Sequence, residues 1–393
     1  MTTVPLTSLV PCHVRQFEAY IPSPPDNELM RMFGCSRLIR LNNNENPLGP
    51  PPRAAAVLRA YDPAAVARYP SGDCRPLRDR MSIHLGVDPA QILFGNGATE
   101  VIAFVIKAFC EQGDNIVTAD RTFAVYEWIA RFSGVDARLA SLDDFCFAEE
   151  ALLARVDHRT KVIFICNPNN PTGRWWTRER LVRFLERLGP NSMVVLDEAY
   201  YEFMEHLEYP DGVSLLTRFP NILVFRTFSK LYGLAGLRIG YLVGTEEVVA
   251  VIRKTAIVYS VNCIAQAAAL AAVGDQDFIA QTRCLVRNGR QMLETLCTDL
   301  KLPILTSDCN FAMIRLPFSD TLAYRLLMRR GFMVRTMTGF RFPGWIRVSI
   351  STRDDMEQFC DALSALIRSR SDHTYFCAEN VRIPEPASIA PDG

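Results

Sequence analysis

From about residue 45 to residue 280, short runs of Val, Ile, Leu and Phe alternate with amphipathic segments. The runs are "QILFGNG", "NIVTA", "KVIFICN", "MVVLDEA", "NILVFRTF" and "RIGYLVG"; between them lie stretches such as "TEVIAFVIKAFCEQ" and "RERLVRFLERLG". Continuously apolar strands separated by helices predict an α/β domain on a mostly parallel sheet that is covered on both faces. After "VGDQDF" the texture changes to a long helical segment, "AQTRCLVRNGRQMLETLCTDL", then "CNFAMIRL", a helix "TLAYRLLMRRG", and the strands "FMVRTM" and "WIRVSIS". That order suggests a smaller α+β domain. The expected organisation is an N-terminal arm and part of the small domain over 1–44, a large α/β domain over 45–280, the small domain over 281–368 and a tail over 369–393. The tail, polar and proline-bearing, is expected to fray.

Composition narrows the function classes. The 393 residues, 49% of them hydrophobic, can bury a large core. Lysine plus arginine and aspartate plus glutamate each number 43, so no footprint for nucleic acid is expected. The longest apolar stretches, such as "AIVYSV" and "AAALAAV", are far shorter than the roughly 20 residues a membrane helix requires. The N-terminal "MTTVPLTSLVPCHVRQF" lacks the charged-then-apolar order of a secretory signal. Twelve cysteines without a C-x-x-C, and five histidines never at i, i+4 spacing, suit reduced thiols in a cytoplasm and offer no metal site.

In sheets of this kind ligands gather at the carboxyl ends of the strands. "QILFGNGATEVI" runs a strand through a glycine turn into a helix that begins at Ala98, Thr99 and Glu100, where unpaired N–H groups favour an anion. Thr99 could equally be a helix cap. "KVIFICNPNNPTG" puts Asn170 in a turn that asparagine and proline would form without any ligand. "SMVVLDEAYYEF" ends a buried strand in Asp197, which needs a cation or hydrogen-bond donors, or else caps the next helix. "RTFSKLYGLAGLRIGY" sets Lys230 at a strand end, where a lysine reaching water is the plain alternative. "GNG" lacks the later glycine of G-x-G-x-x-G, and no acidic strand end comes about 20 residues on, which disfavours a nucleotide-binding dehydrogenase.

A lysine able to form a Schiff base, an acid able to pair with a pyridinium nitrogen and a phosphate cradle together are what pyridoxal phosphate requires. The ordered motifs "LNNNENPLGP", "RYPSGD", "GNGATE", "NPNNPTG", "VVLDEAYYEF", "RTFSKLYGLAGLRIGY" and "IRVSIST" resemble the fold-type I, class I/II aminotransferases, most closely the histidinol-phosphate branch, over roughly residues 38 to 367. The resemblance implies a pyridoxal 5'-phosphate enzyme exchanging an amino group between an amino donor and a 2-oxo acid such as 2-oxoglutarate. Lys230 resembles the lysine that carries the cofactor. Asp197 matches the acid that keeps its ring protonated, and Asn170 and Tyr200 match the pair on its phenolic oxygen. Ala98, Thr99, Thr227, Ser229 and Arg238 match positions around the phosphate. Phe123 falls where the family stacks an aromatic ring, with Tyr126 as its rival one helical turn away.

The same resemblance implies a homodimer, in which Tyr69 of "RYPSG" reaches the neighbouring subunit's cofactor. Arg347 matches the arginine for a substrate α-carboxylate, Arg335 one that meets the far end of the substrate, and Asn46 a further substrate contact. Arg341, in "VRTMTGFRFPGWIR", has no clear counterpart, and Phe340, Phe342 and Trp345 leave an aromatic or other neutral donor open. So does the alternative of a threonine-phosphate-decarboxylase-like enzyme on the same fold, because the motifs around Lys230 serve both reactions. A non-catalytic domain of this fold is disfavoured by the intact Lys230, Asp197 and Arg238.

Overall fold

The computed structural model describes residues 6–15, 17 and 23–371. It forms two compact units. The first takes in Gly49–Asn170, Arg174–Ile279 and the described N-terminal residues as far as 17; the second takes in Pro171–Gly173 and the described residues of 23–48 and 280–371. The last helix, Arg353–Ser371, runs past the Ser369 at which the tail was expected to begin, and the rest of that tail lies outside the described residues.

The first unit is built on a seven-stranded sheet. Its lateral order is Ile92–Gly95, Gly240–Val243, Ile222–Thr227, Met193–Asp197, Thr160–Cys166, Asn115–Ala119 and Asp136–Ala140. Only Gly240–Val243 runs antiparallel to its neighbours. The six apolar runs all become strands, and their centres are buried on both faces, as unbroken Val, Ile and Phe require. Full burial of a side chain such as Phe164 or Phe225 stabilises the fold by about 1.5–3 kcal/mol. The seventh strand, Asp136–Ala140, escapes the apolar pattern because it is a half-exposed edge that carries Asp136 and Arg138.

Helices cover the sheet in the way the periodicity predicts. Ala98–Phe109 buries Val101, Ile102, Phe104, Val105 and Ile106. Arg178–Leu188 buries Leu181, Phe184 and Leu185, an i, i+3, i+4 stripe, and begins with the Thr177 hydroxyl accepting from the Arg180 N–H.

The second unit holds a five-stranded mixed sheet in the order Ile39–Leu41, Phe332–Thr336, Trp345–Ser349, Phe311–Arg315 and Ile304–Leu305. Phe332–Thr336 is parallel to Ile39–Leu41, and the remaining pairings are antiparallel. The turn between Phe332–Thr336 and Trp345–Ser349 is fastened by one buried acid. Asp320 Oδ2 accepts the N–H groups of Met337 and Thr338, both at 2.8 Å, while Oδ1 accepts the Thr338 hydroxyl at 2.7 Å and the Gly344 N–H at 3.2 Å. Among the described residues, no helix is long and apolar enough to cross a membrane.

Candidate active site

Register across the large sheet decides which side chains meet. Cys166, Asp197 and Phe225 lie side by side on three parallel strands, so the turns beyond them all leave from the same edge. From that edge rise the turn to Asn170, the segment Glu198–Tyr200, and the segment Phe228–Lys230. On the other side the antiparallel Gly240 sits between Gly95 and Thr227. The start of the helix Ala98–Phe109 thereby comes next to Arg238 and to Thr227, the end of the strand that leads to Lys230.

The closeness of that approach shows in the glycines. A Cβ on Gly97, which holds φ +83°, would come 2.5 Å from Arg238 Nη2. One on Gly240 would stand 3.0 Å from the Ala98 nitrogen. Gly97 occupies the cap position and no side chain caps the helix, so Thr99 lies in the first turn and is not the cap. Arg238 keeps a left-handed backbone, φ 57°, which few non-glycine residues adopt. Ser229 is buried and donates its N–H to the Thr227 hydroxyl at 3.1 Å, and that hydroxyl donates to the Ile239 carbonyl at 3.3 Å. Amide donors at a helix start, the hydroxyls of Thr227 and Ser229 and the Arg238 guanidinium, which donates to the Ala235 carbonyl at 3.1 Å, are groups that suit a doubly charged anion.

Asp197 is 3% exposed. Burial pushes its carboxyl above the usual range, against the hydrogen bonds from Tyr126 and Ala199 and the positive charge of Lys230. The Tyr126 hydroxyl donates to Oδ2 at 2.5 Å, and the Ala199 N–H donates to Oδ1 at 3.1 Å. Tyr126 is fully buried, its ring stacked on Phe164 at 4.8 Å and 13°, so it has no open face for a ligand. Phe123, half-buried, meets the edge of that ring at 5.5 Å and 85°. Lys230 is half-buried, Tyr200 is buried, and the Asn170 N–H donates to the Cys166 sulfur at 3.4 Å. The sequence presents Tyr126 only as a second aromatic ring beside Phe123; its bond to Asp197 is visible in the fold alone.

A second buried acid comes immediately after. Glu198 Oε2 accepts from Arg226 Nε and Nη2 at 3.0 and 2.7 Å, and Nη2 also reaches Asp211 at 2.7 Å. The guanidinium lies over Tyr201, 3.4 Å from the ring centroid. Burial pushes Glu198 up to about 7 against the pull of Arg226, and the surrounding anions hold Arg226 well above its usual value despite its own burial. A charged residue inside "NILVFRTF" and another straight after "MVVLD" were the available sequence signals for this pair.

Elsewhere in the first unit, Tyr69 is 84% exposed and stacks on Tyr259 at 4.9 Å and 22°. In the second unit, Arg335 and Arg347 are direct register partners on adjacent antiparallel strands. Their guanidinium carbons lie 5.6 and 6.0 Å from the Phe340 ring, and that of Arg347 lies 5.5 Å from Phe311. Arg347 is buried and donates to the Asn42 carbonyl at 2.8 Å. Asn46 is engaged locally: its Oδ1 accepts from the Leu48 N–H at 3.0 Å and its Nδ2 donates to Thr282 at 3.3 Å. Arg341 ends the turn that carries Phe340, with φ 60°. Among the described residues no cluster of three or more His, Cys, Asp or Glu could hold a metal ion.

Comparison with known proteins bears on the family and the fold. The family model described as aminotransferase class I and II matches residues 36–363. Histidinol-phosphate aminotransferase 2 of Pseudomonas aeruginosa is 38% identical over 356 residues, covering 90% of this chain and 96% of that protein. Histidinol-phosphate aminotransferase 1 of Bacillus thuringiensis is 35% identical over 354 residues, covering 90% and 95%. A crystal structure of histidinol-phosphate aminotransferase from Sinorhizobium meliloti in complex with pyridoxal-5'-phosphate superposes with a TM-score of 0.81 at 29% identity, covering 89% of this chain and 96% of that one. On sequence and fold together, the chain belongs to the aminotransferase class I and II family.

Proposed function

We propose that the protein is a pyridoxal-phosphate-dependent aminotransferase that passes the amino group of an anionic amine, histidinol phosphate being the first candidate, to a 2-oxo acid such as 2-oxoglutarate. The observation that carries this reading is the shared edge of the large sheet, where a buried acid, a lysine whose charge acts on it, and a basic anion cradle occur together. The activity in the names of the two relatives supports it. When bound, pyridoxal phosphate supplies a carbonyl that condenses with amines and a protonated ring that draws electrons from the substrate carbon.

The chain's own residues do the rest. Backbone N–H groups at Ala98 and Thr99, the Ser229 hydroxyl, on a residue whose N–H is tied to Thr227, and Arg238 bind the phosphate. Asp197 holds the proton on the ring nitrogen, and Asn170 and Tyr200 donate to the phenolic oxygen. Phe123 covers a ring face and keeps water off it. Lys230 Nζ takes the proton from the substrate carbon that bears the amine. Arg347 binds the α-carboxylate of the 2-oxo acid and Arg335 the distal anion, with Asn46 as a further substrate contact. Two guanidiniums at opposed register positions suit a substrate with two anionic groups, or a donor and an acceptor that each bring their own.

The reading includes a homodimer. Tyr69 and Tyr259 stack in the open, and Ile257 and Val258 beside them are also exposed, an apolar patch that a second copy would cover while Tyr69 reached its cofactor. The thiols of the described cysteines fit a cytoplasmic setting. The test is to mix the loaded protein with histidinol phosphate and 2-oxoglutarate and follow glutamate, and in a separate arm to supply threonine phosphate, which carries a carboxylate, and follow carbon dioxide. Glutamate in the first arm without carbon dioxide in the second is expected, and Arg335→Met should raise KM for histidinol phosphate about 10-fold or more while leaving that for histidinol nearly unchanged. Carbon dioxide release without glutamate, or equal losses for both donors, would contradict the reaction or the substrate reading respectively.

A further inference from the structure

The geometry points to Tyr126 as a positioning residue for Asp197: its hydroxyl holds the carboxylate ionised and fixes which lone pairs remain for a cationic partner. This rests on the reading of Asp197 as the acid that faces the cofactor's ring nitrogen. A carboxylate is acceptor-only, so the short contact from Tyr126 Oη to Asp197 Oδ2 has the phenol as donor. With Ala199 on Oδ1, each oxygen has one neutral donor and keeps a further lone pair. The phenol cannot swing aside, because the ring is stacked on Phe164 and met edge-on by Phe123. Burial and the neighbouring carboxylate push the phenol well up, which keeps it a donor throughout the working range.

The groups that act on this pair come from several elements. Lys230 lies just beyond the strand Ile222–Thr227, Cys166 ends the strand Thr160–Cys166, and the Ala199 N–H lies just beyond the strand Met193–Asp197. Lys230 alone among them brings positive charge, and the proposed chemistry employs its amine elsewhere. When that amine is engaged, Tyr126 and Ala199 are the chain's own groups that keep Asp197 ionised toward the ring nitrogen. A tyrosine placed here for packing alone would be indifferent to the charge on Asp197.

Tyr126→Phe removes only the hydroxyl and keeps the ring stack, and Asp197→Asn and the double variant complete the set. Expected in Tyr126→Phe is a kcat about 10-fold lower with KM nearly unchanged, and a pH dependence of the bound cofactor's visible spectrum whose acid-side transition moves up. Cofactor should also leave faster on dialysis, a readout independent of turnover. In an Asp197→Asn background the same substitution should cost almost nothing further, because the two act as one unit. If Asp197→Asn is impaired while Tyr126→Phe keeps the wild-type spectrum, pH profile and cofactor retention, or if the two losses simply add, Tyr126 is a packing residue and the inference is overturned. If Asp197→Asn itself behaves as wild type in all three readouts, the reading of the acid fails, and the inference falls with it.

Discussion

Asp197 and Glu198 are consecutive, both are buried, and both are pushed up by burial, yet they are held in different ways. Glu198 has its cation within the fold, Arg226, bound through two nitrogens and shared with Asp211. Asp197 is held by a phenol and an amide N–H, with the charge of Lys230 acting on it. The first set is closed: its charge is matched by bonded groups of the chain. The second is held by neutral donors, which suits an acid whose direct cationic partner arrives with a ligand. The contrast teaches that a buried acid gains functional meaning from the kind of donors around it and not from burial alone.

The comparison can be tested to breaking point, beginning with the lysine. Lys230→Ala should lower turnover by about 10³-fold or more, because a positioned proton acceptor and the cofactor linkage are lost together. Steady-state glutamate formation measures it, and turnover near wild type would end the reading of that set. Next in size is the closed pair. Arg226→Met leaves Glu198 buried without its guanidinium and should cost about 3–5 kcal/mol in denaturant unfolding above neutrality. The Glu198 carboxyl lies at about 7 with Arg226 in place and goes higher without it, so it can take a proton instead, and the loss should shrink as pH falls toward 7 and be small below it. A loss that does not depend on pH would mean that the arginine acts by packing.

Asp197→Asn should cut turnover by about 10²-fold while the fold survives. Its effect on stability should have the opposite sign. The folded pKa of Asp197 is raised above the ordinary carboxyl value of 3.8, so the stability linked to it is full below that value and is lost as pH rises through the folded one. In cofactor-free protein, Asp197→Asn should therefore be the more stable form at neutral pH, with the gain vanishing in acid. Addition of pyridoxal phosphate should reverse the order. Thermal unfolding with and without cofactor reads both arms, and an asparagine variant no more stable without cofactor would contradict the view of Asp197 as an acid kept ionised for a ligand.

Much of this was legible in the chain. Each of the six apolar runs became a strand of the large sheet, and the lysine, the acid and the glycine turn sit at its carboxyl edge because strand ends are fixed by the same local pattern that makes the strands. The opposition of Arg335 and Arg347 also came from two short strands joined by a turn. The hidden part depends on partners far apart in sequence. Tyr126 reaches Asp197 across 71 residues, and Asp320 fastens a turn 17 to 24 residues away. Neither bond leaves a trace in periodicity. The edge strand Asp136–Ala140 was hidden for another reason, since a half-exposed edge lacks the unbroken apolar run of its neighbours.

The central claim, that the shared edge of the large sheet is the cofactor site with Lys230 as its covalent anchor, has one direct measurement. The protein is incubated with pyridoxal phosphate, reduced with borohydride and digested, and the modified peptide is identified by mass. The account predicts the reduced cofactor on Lys230 in "TFSKLYG". Attachment to another lysine, Lys254 for example, or no stable attachment at all, would contradict it.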